Sequence, residues 1–323
     1  MELVTGAAGF IGRALTGRLL AAGKRVRCLV RPGSDASALS GAEILHGDLR
    51  DPAALAAAVK GISRVWHLGA LVRPRGFIVG KRRLLGEFHA VNARAARLLG
   101  EAAAGAGIGR FVYFSSIAAL GPGENISDGA EPRPVTAYGR SKLEGELALR
   151  EISGRTGLNL LILRPSMIYG RGSAPWEALF SSVRKGWLPV PGAAANALSV
   201  CSLENLLDAA LLAAEKAQPG SALNVSEGTI TLRDLLFTAG ELAGRQPRLL
   251  PLPVTPLKAV SRLLDAGLGL AGLAMPGFIG ADEGRLLEAC ASWSHRCEGL
   301  RALGWRPALS TREGLAAALG VKP

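Results

Sequence analysis

A tyrosine and a lysine stand four residues apart in the segment VTAYGRSK, residues 135–142. Positions i and i+4 share one face of a helix, so on a helix the Lys142 ammonium lies beside the Tyr138 phenol. A free phenol titrates near pH ~10, and a neighbouring positive charge favours the phenolate and lowers that value. The spacing indicates a pair that can exchange a proton near neutral pH. The same spacing also occurs by chance on ordinary exposed helices, so the surrounding elements must decide.

A glycine-rich turn near the start of the chain predicts a dinucleotide site. TGAAGFIG, residues 5–12, places Gly6, Gly9 and Gly12 three residues apart, between the first predicted strand and the first predicted helix. Glycines permit a tight turn and close approach of a pyrophosphate, whose charge the helix amino terminus then binds. The spacing differs by one residue from the G-x-G-x-x-G fingerprint.

The end of the second predicted strand selects the cofactor. A carboxylate there binds the ribose 2′-OH of NAD, whereas an arginine accommodates the 2′-phosphate of NADP. The strand RVRCLV is followed by Arg31 and then by Pro32, Gly33 and Ser34, without an acid. The sequence therefore favours NADP, with Arg31 as its contact. A solvated loop arginine and an NAD cofactor remain the alternatives.

Other predicted strands end in residues that suit a ligand, because ligands bind at the carboxyl ends of parallel strands. Asp48 follows the third strand, where its carboxylate can accept from the adenine amino group. Small residues end the fourth strand in HLGA, residues 67–70, and His67 itself is interpreted as a packed side chain. Ser116 ends the fifth strand and can donate to a substrate oxygen, with Ser115 as the less favoured donor. Asn92 is interpreted as structural.

Strands and helices alternate through the first half of the chain, which predicts a parallel sheet covered by helices on both faces. Helices are predicted over about 10–22, from Pro52, near 88–106 and around Tyr138. The six predicted strands span 2–5, 25–30, 42–49, 64–70, 110–116 and 159–165.

The alternation breaks after Pro165, where Pro and Gly become frequent. The predicted fold is α/β, a Rossmann-type doubly wound parallel sheet with a smaller, interleaved C-terminal substrate domain. Residues 1–165 form the dinucleotide-binding domain, completed by about 197–226. Residues 166–196 and 227–323 are predicted to form the substrate domain.

Composition and motifs argue against a nucleic-acid-binding protein and against a metal site. The 323 residues are 49% hydrophobic and carry a net charge of +12, yet no nucleic-acid motif accompanies that charge. Four cysteines form no C-x-x-C pair and no His stands at metal-ligand spacing, which predicts no metal site and a reduced, cytoplasmic setting. The most basic stretch, residues 73–83, is predicted to be a surface loop.

No signal peptide is recognised at the amino terminus. The apolar run 266–281 is too short and too rich in Gly to span a membrane. It is predicted to line an apolar substrate cleft or to touch a membrane peripherally, without stable insertion.

Taken together, the motifs TGAAGFIG, HGDLRD, HLGA, YFSSIAALG, YGRSK and LRPSMIYG resemble those of the extended short-chain dehydrogenases/reductases, which include NAD(P)-dependent epimerases/dehydratases. The resemblance implies that Tyr138 exchanges the proton, that Lys142 lowers the phenol pKa and holds the nicotinamide ribose, and that Ser116 polarises the carbonyl. It implies a homodimer through the helix that carries Tyr138. The cofactor-binding residues predicted are Gly6, Gly9, Phe10, Ile11, Gly12, Arg31, Asp48, Leu49, Leu68, Gly69, Ala70, Tyr138, Lys142, Pro165 and Ser166.

Departures from the common pattern favour one branch of this superfamily. Met167 stands where many sugar-nucleotide epimerases carry Asn, and residues 202–205 replace a common H-V-D-D. The phrase VRCLVRPGSDASAL resembles the dihydroflavonol-reductase and 3β-hydroxysteroid-dehydrogenase branch.

We therefore expect an NADP-dependent reductase or dehydrogenase of a steroid-, terpenoid- or flavonoid-like small molecule. A sugar-nucleotide epimerase or dehydratase with a recycled cofactor is the alternative. A non-catalytic cofactor-sensing or scaffold protein and a nucleic-acid binder are less favoured.

Overall fold

The computed structural model of the chain describes residues 1–72, 79–274 and 289–323. Its strands, in chain order, are β1 Glu2–Thr5, β2 Val26–Val30, β3 Glu43–His46, β4 Arg64–His67, β5 Val79–Gly80, β6 Arg110–Phe114, β7 Gly123–Ile126, β8 Leu160–Pro165, β9 Met167–Tyr169, β10 Trp187–Pro191, β11 Ala197–Ser202, β12 Ala222–Val225, β13 Gly228–Thr231, β14 Arg248–Leu252, β15 Leu273–Ala274 and β16 Trp293–His295.

The helices lie mainly between these strands. They are α1 Phe10–Ala21, α2 Pro52–Ala58, α3 Lys81–Phe88, α4 Ala95–Gly105, α5 Ala137–Thr156, α6 Ala174–Lys185, α7 Leu203–Lys216, α8 Leu232–Leu242, α9 Val254–Leu270, α10 Glu298–Ala302 and α11 Thr311–Leu319.

The central sheet has seven parallel strands in the order β12-β8-β6-β4-β1-β2-β3. Its middle strands are continuous apolar runs, because helices cover both of their faces: all residues of β6 and β8 are buried. The strand order reverses between β1 and β4, which opens a crevice at the carboxyl ends of the strands. The predicted Rossmann-type fold is confirmed.

Helices pack on both faces of this sheet. On one face, Leu15 and Leu19 of α1 join Leu206 of α7 in a buried cluster. On the other face, Leu99 of α4 and Leu149 of α5 belong to a second cluster, shared with α2. Apolar contacts therefore hold α5, which carries the catalytic candidates, against the central sheet.

A second sheet lies beyond β8 and has the order β13-β11-β16-β7, with β9 paired to β11. It packs with α6, α8 and α11 around a third apolar cluster that includes Phe180, Leu235 and Leu315. β12 joins the central sheet, whereas β11 joins the second sheet. The second half of the chain is thus interleaved with the first, although β11, within the range 197–226 predicted to complete the central sheet, joins the second sheet.

Several predicted elements differ from the observed ones. The fourth and fifth strands end at His67 and Phe114, earlier than predicted, because strand pairing stops where the ligand crevice opens. The predicted helix near 88–106 begins at Lys81 and contains a π-helical turn, His89–Arg94. The loop prediction for 73–83 is wrong over 79–83, which form β5 and the start of α3; residues 73–78 lie outside the described ranges.

The apolar run 266–281 contributes to α9 and β15, and its part from residue 275 onwards lies outside the described residues. Within the ranges given above, no helix has the length and apolar character needed to cross a membrane.

Candidate active site

Helix α5 begins where it does because Thr136 caps it. The Thr136 hydroxyl oxygen accepts a hydrogen bond from the Gly139 amide at 3.0 Å, and Thr136 itself has extended backbone. The first two turns of α5 then carry Tyr138 and Lys142 on one face. Gly139 lies so close to the Ala118 carbonyl that a side chain would collide with it. This contact presses the start of α5 against the short turn Ile117–Ala119, which follows Ser116.

Lys142 is buried with only 1% of its surface exposed. Its Nζ donates to the Phe114 carbonyl oxygen at 2.6 Å and lies 4.3 Å from the centroid of the Tyr113 ring. Burial lowers the pKa of Lys142 from 10.5 to about 7, against the opposing effect of the Glu146 carboxylate. The ammonium is therefore fixed at the carboxyl end of β6 and titrates near neutral pH.

Two serines directly follow β6 and have different partners. Ser115 is buried and its hydroxyl donates to Glu146 Oε1 at 2.6 Å. Ser116 is only partly buried, and its hydroxyl oxygen accepts from the Ala118 amide at 3.1 Å, which starts the turn Ile117–Ala119. That bond leaves the Ser116 proton for another acceptor, so this hydroxyl can donate to a substrate oxygen.

Tyr138 is half-buried and lies among apolar side chains. Its ring centroid is 6.4 Å from that of Phe88, the last residue of α3. It packs on the third apolar cluster together with Val135, Met167 and Trp176. The candidate proton donor therefore has apolar neighbours on its substrate-domain side.

The buried Glu146 was missed by sequence reasoning, although it lies one helical turn beyond Lys142 on the same face. Both of its oxygens accept from Arg164 of β8, at 2.9 and 2.7 Å, and it also contacts Arg150 at 3.1 Å. Burial alone would raise the pKa of Glu146, but the Arg164 guanidinium and the Ser115 hydroxyl hold it below its ordinary value. A charged carboxylate thus ties β6, α5 and β8 together directly beneath the candidate site.

Asn92 is buried in the π-helical turn and binds the loop after β4. Its Oδ1 accepts from the Leu71 amide at 2.7 Å, and its Nδ2 donates to the Leu71 carbonyl oxygen at 2.9 Å. The same Nδ2 donates to the Ser141 hydroxyl at 2.9 Å. The extra residue of the π-helical turn brings the Asn92 amide between this loop and α5.

His67 is fully buried, as predicted for a packed histidine. A hydrogen bond of 2.7 Å joins its Nδ1 to the Thr5 hydroxyl, and its ring stacks on Tyr113 with centroids 5.5 Å apart. Burial lowers the pKa of His67 to about 3, and the charge of Lys142 acts in the same direction. His67 is therefore neutral near neutral pH.

The turn between β1 and α1 fits the pyrophosphate of a dinucleotide. Gly6 has φ +70°, and a side chain there would bring its Cβ within 2.7 Å of the Gly69 amide nitrogen. The Gly9 amide donates to the Gly6 carbonyl at 3.0 Å, and the first turn of α1 carries no acid. Gly12 likewise has no room for a side chain. Backbone and an electropositive helix end therefore line the space between β1 and β4.

The next predicted contacts lie at the ends of β2 and β3. Arg31 is exposed directly after β2. Asp48 accepts from Arg50 Nε at 2.8 Å and Nη2 at 2.6 Å. The Arg50 guanidinium lowers the pKa of Asp48 to about 2, and the charge of Arg31 contributes in the same direction. Arg50, which sequence reasoning missed, is thus a second cation close to this end of the crevice.

Ser166, directly after β8, has a buried hydroxyl that can form a further hydrogen bond. The Ser166 amide donates to the Val225 carbonyl at 3.0 Å, but the Ser166 hydroxyl has no hydrogen-bond partner within the described part of the chain. Buried hydroxyls are normally paired, so this one fits a polar group of a bound ligand. Pro165 precedes it in β8, and Met167 follows it in β9.

Comparison with known proteins agrees with this geometry. The model of the NAD dependent epimerase/dehydratase family matches residues 2–226. A Mycobacterium tuberculosis 3 beta-hydroxysteroid dehydrogenase/Delta 5-->4-isomerase is 34% identical over 67% of this chain and 60% of its own length. A Caulobacter vibrioides ceramide reductase is 30% identical over 94% of this chain and 95% of its own. The solved UDP-glucose 4-epimerase of Thermus thermophilus, in complex with NAD, is 24% identical with a TM-score of 0.76, covering 99% and 97% of the two chains.

Proposed function

The chain belongs to the NAD-dependent epimerase/dehydratase family, and within it we propose an NADP-dependent oxidoreductase that interconverts a ketone and a secondary alcohol on an apolar small molecule. The observation that carries this proposal is the arrangement at the end of β6. There the buried Lys142 ammonium binds the Phe114 carbonyl, Ser116 follows two residues later, and Tyr138 precedes Lys142 by one turn of α5.

In the proposed reaction the substrate carbonyl oxygen accepts a hydrogen bond from Ser116. Tyr138 transfers its phenolic proton to that oxygen as negative charge develops there. The Lys142 ammonium, held by the Phe114 carbonyl, stabilises the resulting phenolate and so increases the acidity of Tyr138. When bound, the nicotinamide supplies the hydride.

Residues of this chain support the binding of the cofactor. Gly6, Gly9 and Gly12 permit the tight backbone packing of the turn before α1, where the pyrophosphate would bind. Ser166 would pair its hydroxyl with a polar group at the nicotinamide end. Arg31 would contact the 2′-phosphate, and the absence of an acid directly after β2 favours NADP over NAD.

Two observations support an apolar substrate. Val135, Met167 and Trp176 pack against the same apolar cluster as Tyr138. The two relatives described above are named for a steroid and a ceramide, both of them largely apolar molecules. The solved epimerase shares the fold, and it motivates the second candidate, a sugar-nucleotide epimerase, which would need polar contacts where Met167 stands.

The test follows NADPH absorbance while the purified protein meets ketones of sterol and ceramide type and, separately, sugar nucleotides, with products identified by mass spectrometry. We expect stoichiometric NADPH loss with an apolar ketone. Tyr138→Phe should reduce that turnover at least ~100-fold, because general acid catalysis is worth that much. Glu144→Gln, an exposed change on the same helix, is the matched control. Isomerisation of a sugar nucleotide without net NADPH loss would contradict the proposal.

A further inference from the structure

Helix α9 directs apolar side chains away from the protein. Leu263 is 75% exposed and Leu270 is 93% exposed, and Val260 and Leu264 are also exposed. At 100° per residue these four positions share one face of the helix. Lys258 lies on the opposite face and is half-buried. An ordinary surface helix buries its apolar stripe, whereas these four apolar side chains are exposed.

Cations lie near the C-terminal end of α9, where Lys81 Nζ is 3.8 Å from the position a Cβ would take on Gly269. β15, just after α9, pairs with β5, just before α3, and the Lys81 amide donates to the Gly272 carbonyl at 2.8 Å. α3 opens with Lys81, Arg82 and Arg83, all exposed, and Arg83 also pairs with Glu87 at 3.1 Å. We call the exposed apolar residues of α9 together with these three cations the α9 surface.

The α9 surface lies close to the candidate site. α3 has eight residues and is therefore about 12 Å long. It runs from Lys81 at the α9 surface to Phe88, whose ring is 6.4 Å from that of Tyr138. One short helix connects the two regions.

We propose that the α9 surface docks on an anionic phospholipid bilayer. Helices that lie in a membrane interface insert their apolar side chains beneath the headgroups, while nearby Lys and Arg bind anionic headgroups. Leu263, Leu264 and Leu270 supply the inserted face, and Lys81, Arg82 and Arg83 supply the charge. Docking itself does not depend on the reaction; only its use, the delivery of an apolar substrate from the bilayer towards Tyr138, rests on the proposed function.

Charge favours a lipid surface over a second copy of this chain. In a symmetric dimer the same patch faces itself, which would bring two sets of Lys81, Arg82 and Arg83 together. The net charge of +12 adds to that repulsion. An anionic bilayer instead neutralises these cations while it covers the leucines.

Vesicle co-sedimentation without substrate tests this proposal separately from the reaction. The wild-type protein should bind vesicles of equal parts phosphatidylcholine and phosphatidylglycerol far better than pure phosphatidylcholine vesicles, and salt should weaken the binding. The double variant Leu263→Ser/Leu270→Ser should bind at least ~10-fold more weakly, because two inserted side chains are lost. Val321→Ser, an exposed apolar change after α11, should bind like wild type.

The cations are tested in the same assay. Arg82→Glu should bind anionic vesicles several-fold more weakly than Lys24→Glu. The control Lys24→Glu reverses an exposed charge just before β2, outside the α9 surface. Circular dichroism confirms that each variant is folded, and sedimentation velocity measures self-association. The proposal is overturned if wild type does not bind anionic vesicles, or if the double leucine variant binds them unchanged. It is also overturned if that variant loses only self-association, since the α9 surface would then be an interface between copies.

Discussion

Lys142 should make the stability of the cofactor-free protein depend on pH. Its pKa is about 7 in the folded protein and 10.5 in the unfolded chain. Between these values the unfolded chain holds a proton that the folded protein has lost. Stability therefore rises with pH across this window and falls as pH drops towards 7.

The size of this effect follows from the two pKa values. The free energy of unfolding changes by about 1.4 kcal/mol per pH unit while one proton separates the two states. Between pH 7 and pH 9, Lys142 of the folded protein goes from half protonated to almost fully deprotonated. In the unfolded chain it stays almost fully protonated over the same interval. The gain is about 2 kcal/mol over this interval.

Urea unfolding of wild type and Lys142→Met at pH 7, 8 and 9 measures this contribution. Every other titrating group is shared by the two proteins, so the difference between their pH dependences isolates Lys142. Lys142→Met should lack about 2 kcal/mol of the wild-type increase between pH 7 and pH 9. Parallel pH dependences in the two proteins would refute the argument that Lys142 is buried and titrates near neutral pH.

Three further substitutions test the rest of the site. Arg31→Asp should weaken NADPH binding at least ~10-fold while changing NADH binding little, since it would remove the charged hydrogen bond that we propose to the 2′-phosphate; equal losses measured by fluorescence titration would contradict the assignment. Gly6→Ala should abolish nucleotide binding, whereas Gly23→Ala, at the similar φ of +71° but in open space, should retain it. Glu146→Gln should shift the alkaline limb of the turnover–pH profile to lower pH, because the charge that favours the Lys142 ammonium is lost; an unshifted limb, as in Glu144→Gln, would contradict this.

The parts of the fold that could be predicted are those with strong local signals. The apolar runs of β6 and β8 and the glycine turn after β1 are each contained within a few residues. Strand ends were less predictable: β4 stops at His67 because its pairing with β6 stops there, opposite Tyr113. The π-helical turn was missed because one extra residue barely changes the apolar periodicity of 81–105.

The spacing of Tyr138 and Lys142 predicted the candidate catalytic pair, but it did not predict the contacts that hold the pair in place. Four residues of separation put Tyr138 and Lys142 on one helix face, but nothing local indicates that the Phe114 carbonyl holds Lys142. The partners of Glu146 lie 31 and 18 residues away, at Ser115 and Arg164, so its contacts depend on the assembly of three elements. The outward leucines of α9 form an ordinary apolar stripe in the sequence, which conventionally predicts burial.

The most direct test of the proposed reaction uses NADPH that carries deuterium at nicotinamide C4, supplied separately in its two stereochemical forms. The protein is incubated with an apolar ketone, and the alcohol is analysed by mass spectrometry. We predict one deuterium at the carbinol carbon from one of the two forms, in amounts equal to the NADP formed. A sugar nucleotide isomerised without deuterium incorporation or net cofactor loss, with every apolar ketone unchanged, would contradict the proposal.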